Sequence, residues 1–371
     1  MSRMYLAAAG SGKTTFLLER VSDQSKRFLY TTFTDENAAV AKDMLIEKFG
    51  YIPSNVTILP WFSFLLEHGV RPFQESGGFG DVNFGGVCLL KEGKNCNKRP
   101  SLRYFCNSSC LVYAAKLPDL ALHCDDCSGG AVFERIRRLF DVVLIDEAQD
   151  MAGYDFDFIA RLIETDIDVI ICGDERQSTY RTNNAKKHKG KTLKQFLRDA
   201  KLTDKCPIDE SELNGSHRCA ESVIQFANKL YPDFPQTVSL VSVPSNRHSG
   251  VWIVPSSSVE AYASEFHPVA LRNTVGTETV NVLHVLNFGR SKGRTYADVL
   301  IYPVGPVRKW LVVNKVKLSS QTRARFYVAI TRARYSVGIV IPDEEVKHFI
   351  GEYSIWNSSQ SVVQGVLPIA F

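Results

Sequence analysis

An apolar run from Met4 to Ala8 leads directly into Ala9-Gly10-Ser11-Gly12-Lys13-Thr14, after which Thr14 to Val21 follow a helical apolar period. Strand, small-residue loop and helix in that order are the setting of a phosphate-binding P-loop. There, small side chains let backbone N–H groups turn inward on an anion at a helix N-terminus. On this reading Ala9, Gly10, Ser11, Gly12, Lys13, Thr14 and Thr15 form the ATP-binding segment. Lys13 reaches the β- and γ-phosphates, and the Thr14 hydroxyl ligates Mg²⁺. Ala7 stands where the general motif has its first glycine.

A second segment completes the requirement. Val142-Val143-Leu144-Ile145-Asp146-Glu147-Ala148-Gln149-Asp150 is an apolar strand that ends in carboxylates. Magnesium keeps most of its waters and needs one or two fixed carboxylates beside the phosphates, a role that suits Asp146. Glu147 is then the group that polarises the attacking water. Further strand-like runs at Phe28 to Phe33 and Val169 to Cys172 alternate with a helical pattern over Glu36 to Phe49, which predicts a parallel sheet covered on both faces. A second α/β pattern has strands expected at Val282 to Leu286, Asp298 to Tyr302 and Ser336 to Ile341.

Length and charge limit the rest. The 371 residues carry 44 Lys+Arg against 40 Asp+Glu, and 44% are hydrophobic, which suits a chain with a large core and excludes global disorder. No run approaches the roughly 20 apolar residues of a membrane span, and Met1 to Tyr5 carries no signal-type apolar region. A cytoplasmic protein without a membrane partner is expected.

Residues 71–130 interrupt the α/β rhythm with Gly, Asn, Lys and six of the nine cysteines. Cys106-x3-Cys110 and Cys124-x2-Cys127 have the short-pair spacing of a structural Zn²⁺ site, with Cys96 and His123 as alternative ligands and Cys88 less suited. A four-cysteine iron–sulfur cluster and unmetallated thiols are the other readings of the same spacing. Lys91, Lys94, Lys98, Arg99 and Arg103 flank the cluster, facing either nucleic-acid phosphates or solvent.

Taken in order, the motifs resemble those of superfamily 1 helicases of the UvrD/Rep type. The Ala-x-Ala-Gly-Ser-Gly-Lys-Thr loop is similar to that family's own form. Thr31-Thr32-Phe33-Thr34-Asp35-Glu36-Asn37-Ala38-Ala39 resembles its motif Ia, and Val56 to Phe64 resembles the next DNA-contacting motif. Cys172-Gly173-Asp174-Glu175-Arg176-Gln177-Ser178-Thr179-Tyr180 resembles motif III, and Leu213 to Cys219 motif IV. Phe288 to Thr295 resembles motif V, and Tyr327 to Arg334 motif VI.

The resemblance implies two RecA-like P-loop NTPase motor domains with a small Cys-rich insertion. Residues 1–70 and 131–190 form the first, 71–130 the inserted subdomain, and 191–371 the second. It implies Glu147, Gln177, Arg218 and Arg332 as catalytic residues, the two arginines meeting the γ-phosphate from the second domain, and Gly293 as a further nucleotide contact. Thr32, Phe33, Thr34, Asn37, Trp61, Phe64, Tyr180, Ser291 and Lys292 are the implied DNA contacts. The aromatic ones are candidate stacking surfaces, because base–aromatic stacking tolerates any sequence.

Some residues depart from the pattern. Thr182 and Asn183 stand where the family commonly has Trp and Arg, and Gly293-Arg294-Thr295 replaces a Gly-Leu-Glu ending. The 70 positions from Arg218 to Phe288 are too few for the large accessory domain, so a minimal motor is expected. The implied activity is ATP- and Mg²⁺-dependent translocation on single-stranded or forked DNA, 3′-to-5′. The alternative is an ATPase switch regulated by DNA or by a partner such as a nuclease of a repair or defence system. RNA is a third reading of the track.

Overall fold

A computed structural model describes residues 1–90, 101–178, 187–274, 276–279, 284–312 and 316–357. The chain divides into two compact units. The first takes in Met1–Ala7, Lys13–Glu175 and Tyr180–Glu212, and the second Ala8–Gly12, Arg176–Thr179 and Leu213–Phe371.

The first unit is built on a sheet whose strands are β1 (Arg3–Leu6), β2 (Phe28–Thr32), β3 (Val56–Pro60), β6 (Val142–Ile145), β7 (Asp168–Gly173) and β8 (Ile208–Asp209). A small pair, β4 (Gly86–Cys88) and β5 (Leu111–Tyr113), lies apart from it. The large sheet has the order β3-β2-β6-β7-β1-β8, with every neighbouring pair parallel. Strands covered on both faces must be apolar throughout, and all residues of β2 and β6 are buried. The helix Asp35–Phe49 begins where Thr34 accepts the Asn37 N–H at 3.1 Å. It ends at Gly50, whose φ of +79° lets its N–H reach the Ile46 carbonyl.

Residues 191–212, assigned from the sequence to the second domain, belong to the first unit. β8 pairs with β1 in the register Met4↔Ile208 and Tyr5↔Asp209. The helix Leu193–Asp199, started by a Thr192–Gln195 capping box, puts Leu193, Phe196 and Leu197 into the core that holds Phe156. The unit boundary therefore falls at Glu212–Leu213.

The cysteine-rich segment is also less separate than expected. Its helix Leu117–Cys127 places Leu117, Leu120, Ala121 and Cys124 in the core containing Trp61, Phe64 and Phe158. A Cβ on Gly69 would stand 3.0 Å from Ala121 Cβ, which shows how closely that helix approaches.

In the second unit, β9 (Gly215–Ser216) and β10 (Val238–Ser239) form a short parallel pair. A second parallel sheet has the order β13-β12-β14-β15-β11-β16, from β11 (Gly250–Pro255), β12 (Val269–Arg272), β13 (Val285–Asn287), β14 (Tyr296–Tyr302), β15 (Ala333–Ile341) and β16 (Ser354–Ile355). The expected strand Val282–Leu286 corresponds to β13, and residues 280–283 lie outside the described residues. The helices Glu221–Asn228, Gly305–Val312 and Ser320–Ile330 contribute Phe226, Trp310 and Phe326 to this unit's core. Two parallel six-stranded sheets flanked by helices are the architecture of a pair of RecA-like domains. Among the described residues no helix is long and apolar enough to cross a membrane.

Candidate nucleotide site

Within the first unit, Lys13 opens the helix Lys13–Glu19 and is buried, Thr14 is half-buried beside it, and Thr15 faces solvent. Asp146 leaves the end of β6 with its backbone N–H on the Thr31 carbonyl at 2.9 Å. The Thr14 hydroxyl donates to Asp146 Oδ2 at 2.6 Å and the Tyr30 hydroxyl donates to the same oxygen at 2.8 Å. The Glu147 N–H donates to Oδ1 at 2.8 Å. Burial raises the Asp146 pKa and the Glu147 charge adds to this, while the Thr14 hydrogen bond, Lys13 and the Tyr30 bond oppose it. The Tyr30 proton is held firmly, since burial first and Asp146 next push its pKa well above the ordinary phenol value.

Tyr30 is the member of this cluster that the sequence reading missed. It lies in an apolar strand, where its hydroxyl gives no periodic signal, but β2 pairs with β6 in the register Tyr30↔Leu144 and so brings it to Asp146. Glu147 sits at φ +55°, a left-handed conformation uncommon for a glutamate. Its carboxylate accepts from Gln149 Nε2, and Gln149 Oε1 in turn accepts the Asp174 N–H at 2.9 Å. A side-chain bridge thus joins the ends of β6 and β7.

Within the second unit, Gly10 and Gly12 have φ of +74° and +80°, conformations that glycine adopts without steric cost. A Cβ on Gly10 would come within 2.4 Å of Arg218 Cβ. The Ala9 carbonyl accepts from Ser216 Oγ at 2.8 Å and the Gly10 carbonyl from the His217 N–H at 2.9 Å. Ser11 Oγ is buried without a hydrogen-bond partner among the described residues. An orphaned hydroxyl beside two left-handed glycines fits a loop shaped for an anion.

Arg332, 1% exposed, donates from Nε to the Val328 carbonyl at 3.1 Å, from Nη1 to the Arg294 carbonyl at 3.2 Å and from Nη2 to Gln177 Oε1 at 3.3 Å. The structure thus joins two residues nominated from separate motifs. Arg218 Nη1 reaches the Thr331 carbonyl at 3.4 Å. Gly293 lies in the loop after the turn Phe288–Ser291, at φ +84°.

The residues expected to contact nucleic acid fall into different settings. Trp61 and Phe64 are fully buried and are core residues, not stacking surfaces; Trp61 Nε1 donates to Asp155 Oδ1 at 2.7 Å. Their spacing of three puts both on one face of a helical turn, and that face points inward. Phe62, between them, is half-buried and meets Phe33 edge-to-face at 5.5 Å, leaving a Phe33–Phe62 pair that the sequence reading had not singled out. Thr32 is fully buried, Thr34 caps a helix, and Asn37 Nδ2 donates to Thr32 Oγ1 at 3.5 Å. Ser291 is buried with its hydroxyl on the Phe288 carbonyl at 2.7 Å, whereas Lys292 is half-buried. Tyr180 lies outside the described residues. Trp61→Phe is expected to lower unfolding free energy by about 1–3 kcal/mol in a urea titration and leave nucleic-acid affinity unchanged. Lost affinity at unchanged stability would return Trp61 to the track surface.

The described residues do not show a zinc site. Among the described residues no three His, Cys, Asp or Glu side chains converge as a metal group. Cys124 sits in the hydrophobic core with its thiol pushed up to about 12 by burial, and burial likewise pushes Cys106 up to about 11. Cys110 is half-buried beside Cys106, Cys127 is exposed with its sulfur 3.7 Å from His123 Nε2, Cys88 is buried, and Cys96 lies outside the described residues.

Residues 113–199 match the family described as UvrD/REP helicase N-terminal domain, a segment that includes β6, Asp146, Glu147 and Gln177. No curated protein matches the chain in sequence. Among solved structures, the arterivirus nonstructural protein 10 helicase is 14% identical, with a TM-score of 0.47 over 94% of this chain and 62% of its own. Its complex with DNA is 15% identical, with a TM-score of 0.47 over 93% and 62%. The PRRSV helicase is 16% identical, with a TM-score of 0.45 over 93% and 53%. The chain therefore spans less than two thirds of these proteins' length.

Proposed function

We propose that this chain, whose residues 113–199 match the UvrD/REP helicase N-terminal domain, is an ATP-driven motor. It moves 3′-to-5′ on single-stranded DNA and opens forked duplexes. The observation that carries the reading is the Thr14–Asp146 pair, a hydroxyl and a carboxylate 2.6 Å apart, beside a buried lysine and with Glu147 next in the chain. Hard oxygens of this kind suit magnesium. Thr14 and Asp146 would hold the ion, which when bound offsets charge on the β- and γ-phosphates.

In this scheme Lys13 neutralises phosphate charge, and Tyr30 keeps Asp146 oriented by donating to the same oxygen as Thr14. Glu147 orients and deprotonates the attacking water. Gln177 senses the γ-phosphate, and Arg218 and Arg332 supply positive charge as the phosphoryl group transfers. The two compact units are assigned as the two motor domains, and Phe33 with Phe62 as a stacking surface for the strand.

Strand displacement tests the proposal. A labelled strand beside a 3′ single-stranded DNA tail is expected to be released with ATP and Mg²⁺ and retained with Lys13→Ala. Release only from 5′ tails would reverse the polarity, and release only from RNA tails would change the track. No release from any substrate, with hydrolysis still stimulated by DNA, would favour a switch over an unwinding motor.

A further inference from the structure

Arg176 is a buried cation to which the scheme above gives no role. It is 6% exposed and is grouped with the second unit, while Glu175 before it belongs to the first. Its Nη1 donates to Thr237 Oγ1 at 3.0 Å and to the Pro235 carbonyl at 3.4 Å. Its guanidinium lies 5.6 Å from the ring centre of Tyr327 and 5.9 Å from that of Phe234. Its own carbonyl accepts the Tyr231 hydroxyl at 3.1 Å, and Tyr231 meets both Tyr327 and Phe234 edge-to-face, at 5.5 and 5.2 Å. Side chain and backbone of one residue are therefore gripped by the same aromatic cage.

The cage shares parts with the candidate site. Tyr327 lies on the helix Ser320–Ile330, which runs directly into Thr331 and Arg332. The residue after Arg176 is Gln177, whose Oε1 accepts from Arg332 at 3.3 Å. Thr237 is itself fixed, because Asn228 accepts its N–H at 3.2 Å and donates to its carbonyl at 2.9 Å. A planar guanidinium can satisfy a hydroxyl, a carbonyl and two ring faces together, which an ammonium cannot do in the same geometry.

We infer that Arg176 is a positioning residue for ATP hydrolysis: its aromatic cage holds Gln177 in register with Arg332, so the sensor and the arginine reach the γ-phosphate as one unit. The inference rests on the proposed ATPase reading. A group held about 1 Å out of place can lose 10²-fold in rate without touching the reacting atoms. The cage thus acts on turnover, and nucleotide affinity is left to the P-loop.

The test compares Arg176→Ala, Arg176→Lys, Gln177→Ala and the double variant Arg176→Ala/Gln177→Ala. ATP hydrolysis in the presence of single-stranded DNA and binding of a fluorescent ATP analogue are measured for each, with Thr237→Val as a milder perturbation. Arg176→Ala is expected to lower kcat by about 10²-fold with KM and analogue affinity within about twofold. Arg176→Lys recovers only part of the loss. The double variant is expected to be no slower than Gln177→Ala, because residues that act as a unit are not additive.

Additive losses, or full activity in Arg176→Ala, would overturn the inference. If Arg176→Ala does not fold, Arg176→Lys and Thr237→Val carry the same cycle against Gln177→Ala. Failure of the underlying reading looks different: the wild-type chain would not hydrolyse ATP, or Gln177→Ala would leave kcat unchanged.

Discussion

Glu147→Gln is expected to lower turnover by about 10²–10⁴-fold while ATP remains bound, because on the proposed mechanism it removes the general base and keeps the shape of the side chain. The side chain is tightly framed. Glu147 occupies a left-handed backbone conformation, its N–H bonds Asp146 and its carboxylate accepts from Gln149. An amide there can still accept from Gln149, so binding is retained and proton abstraction is lost. Rapid quench with labelled ATP, beside equilibrium binding of the nucleotide, separates the two effects. Wild-type turnover in Glu147→Gln would remove this residue from water activation.

The second large effect is expected at Arg332. Arg332→Ala should lower kcat by about 10³–10⁵-fold, the range for loss of an arginine that stabilises charge on a transferring phosphoryl group. Three acceptors hold this guanidinium, namely the Val328 and Arg294 carbonyls and Gln177 Oε1, so alanine also removes three hydrogen bonds. Stability will fall too, and the melting temperature must be read beside the rate. Arg332→Lys keeps a charge but cannot reproduce the fork, and is expected to be folded and still strongly impaired. Equal loss of nucleotide affinity and of turnover in either variant would contradict the γ-phosphate role.

The residues of the candidate nucleotide site were legible in the sequence because their arrangement depends on local order. A strand, a small-residue loop and a helix are contiguous from Met4 to Val21, and Asp146 directly follows an apolar strand. Contacts set by tertiary pairing were not legible. Tyr30 reaches Asp146 only because β2 and β6 are neighbours, and residues 191–212 join the first unit only because β8 pairs with β1. The assignments of Trp61 and Phe64 to a stacking surface failed for a reason the sequence did contain. Trp61 and Phe64 are spaced for one helix face, and that pattern marks core more often than surface. Cysteine spacing carried a similar ambiguity, since two close pairs suit a metal, but Cys124 lies on the inward face of the helix Leu117–Cys127 and belongs to the core. The cage around Arg176 draws on residues from 176 to 327, and no local pattern announces it.

Steady-state ATP hydrolysis with and without single-stranded DNA, run beside Lys13→Ala, tests the central claim most directly, since it joins the nucleotide site to the track. Hydrolysis strongly stimulated by DNA and abolished in Lys13→Ala is the predicted result. Hydrolysis indifferent to nucleic acid, or undiminished in Lys13→Ala, would contradict a motor built on this site.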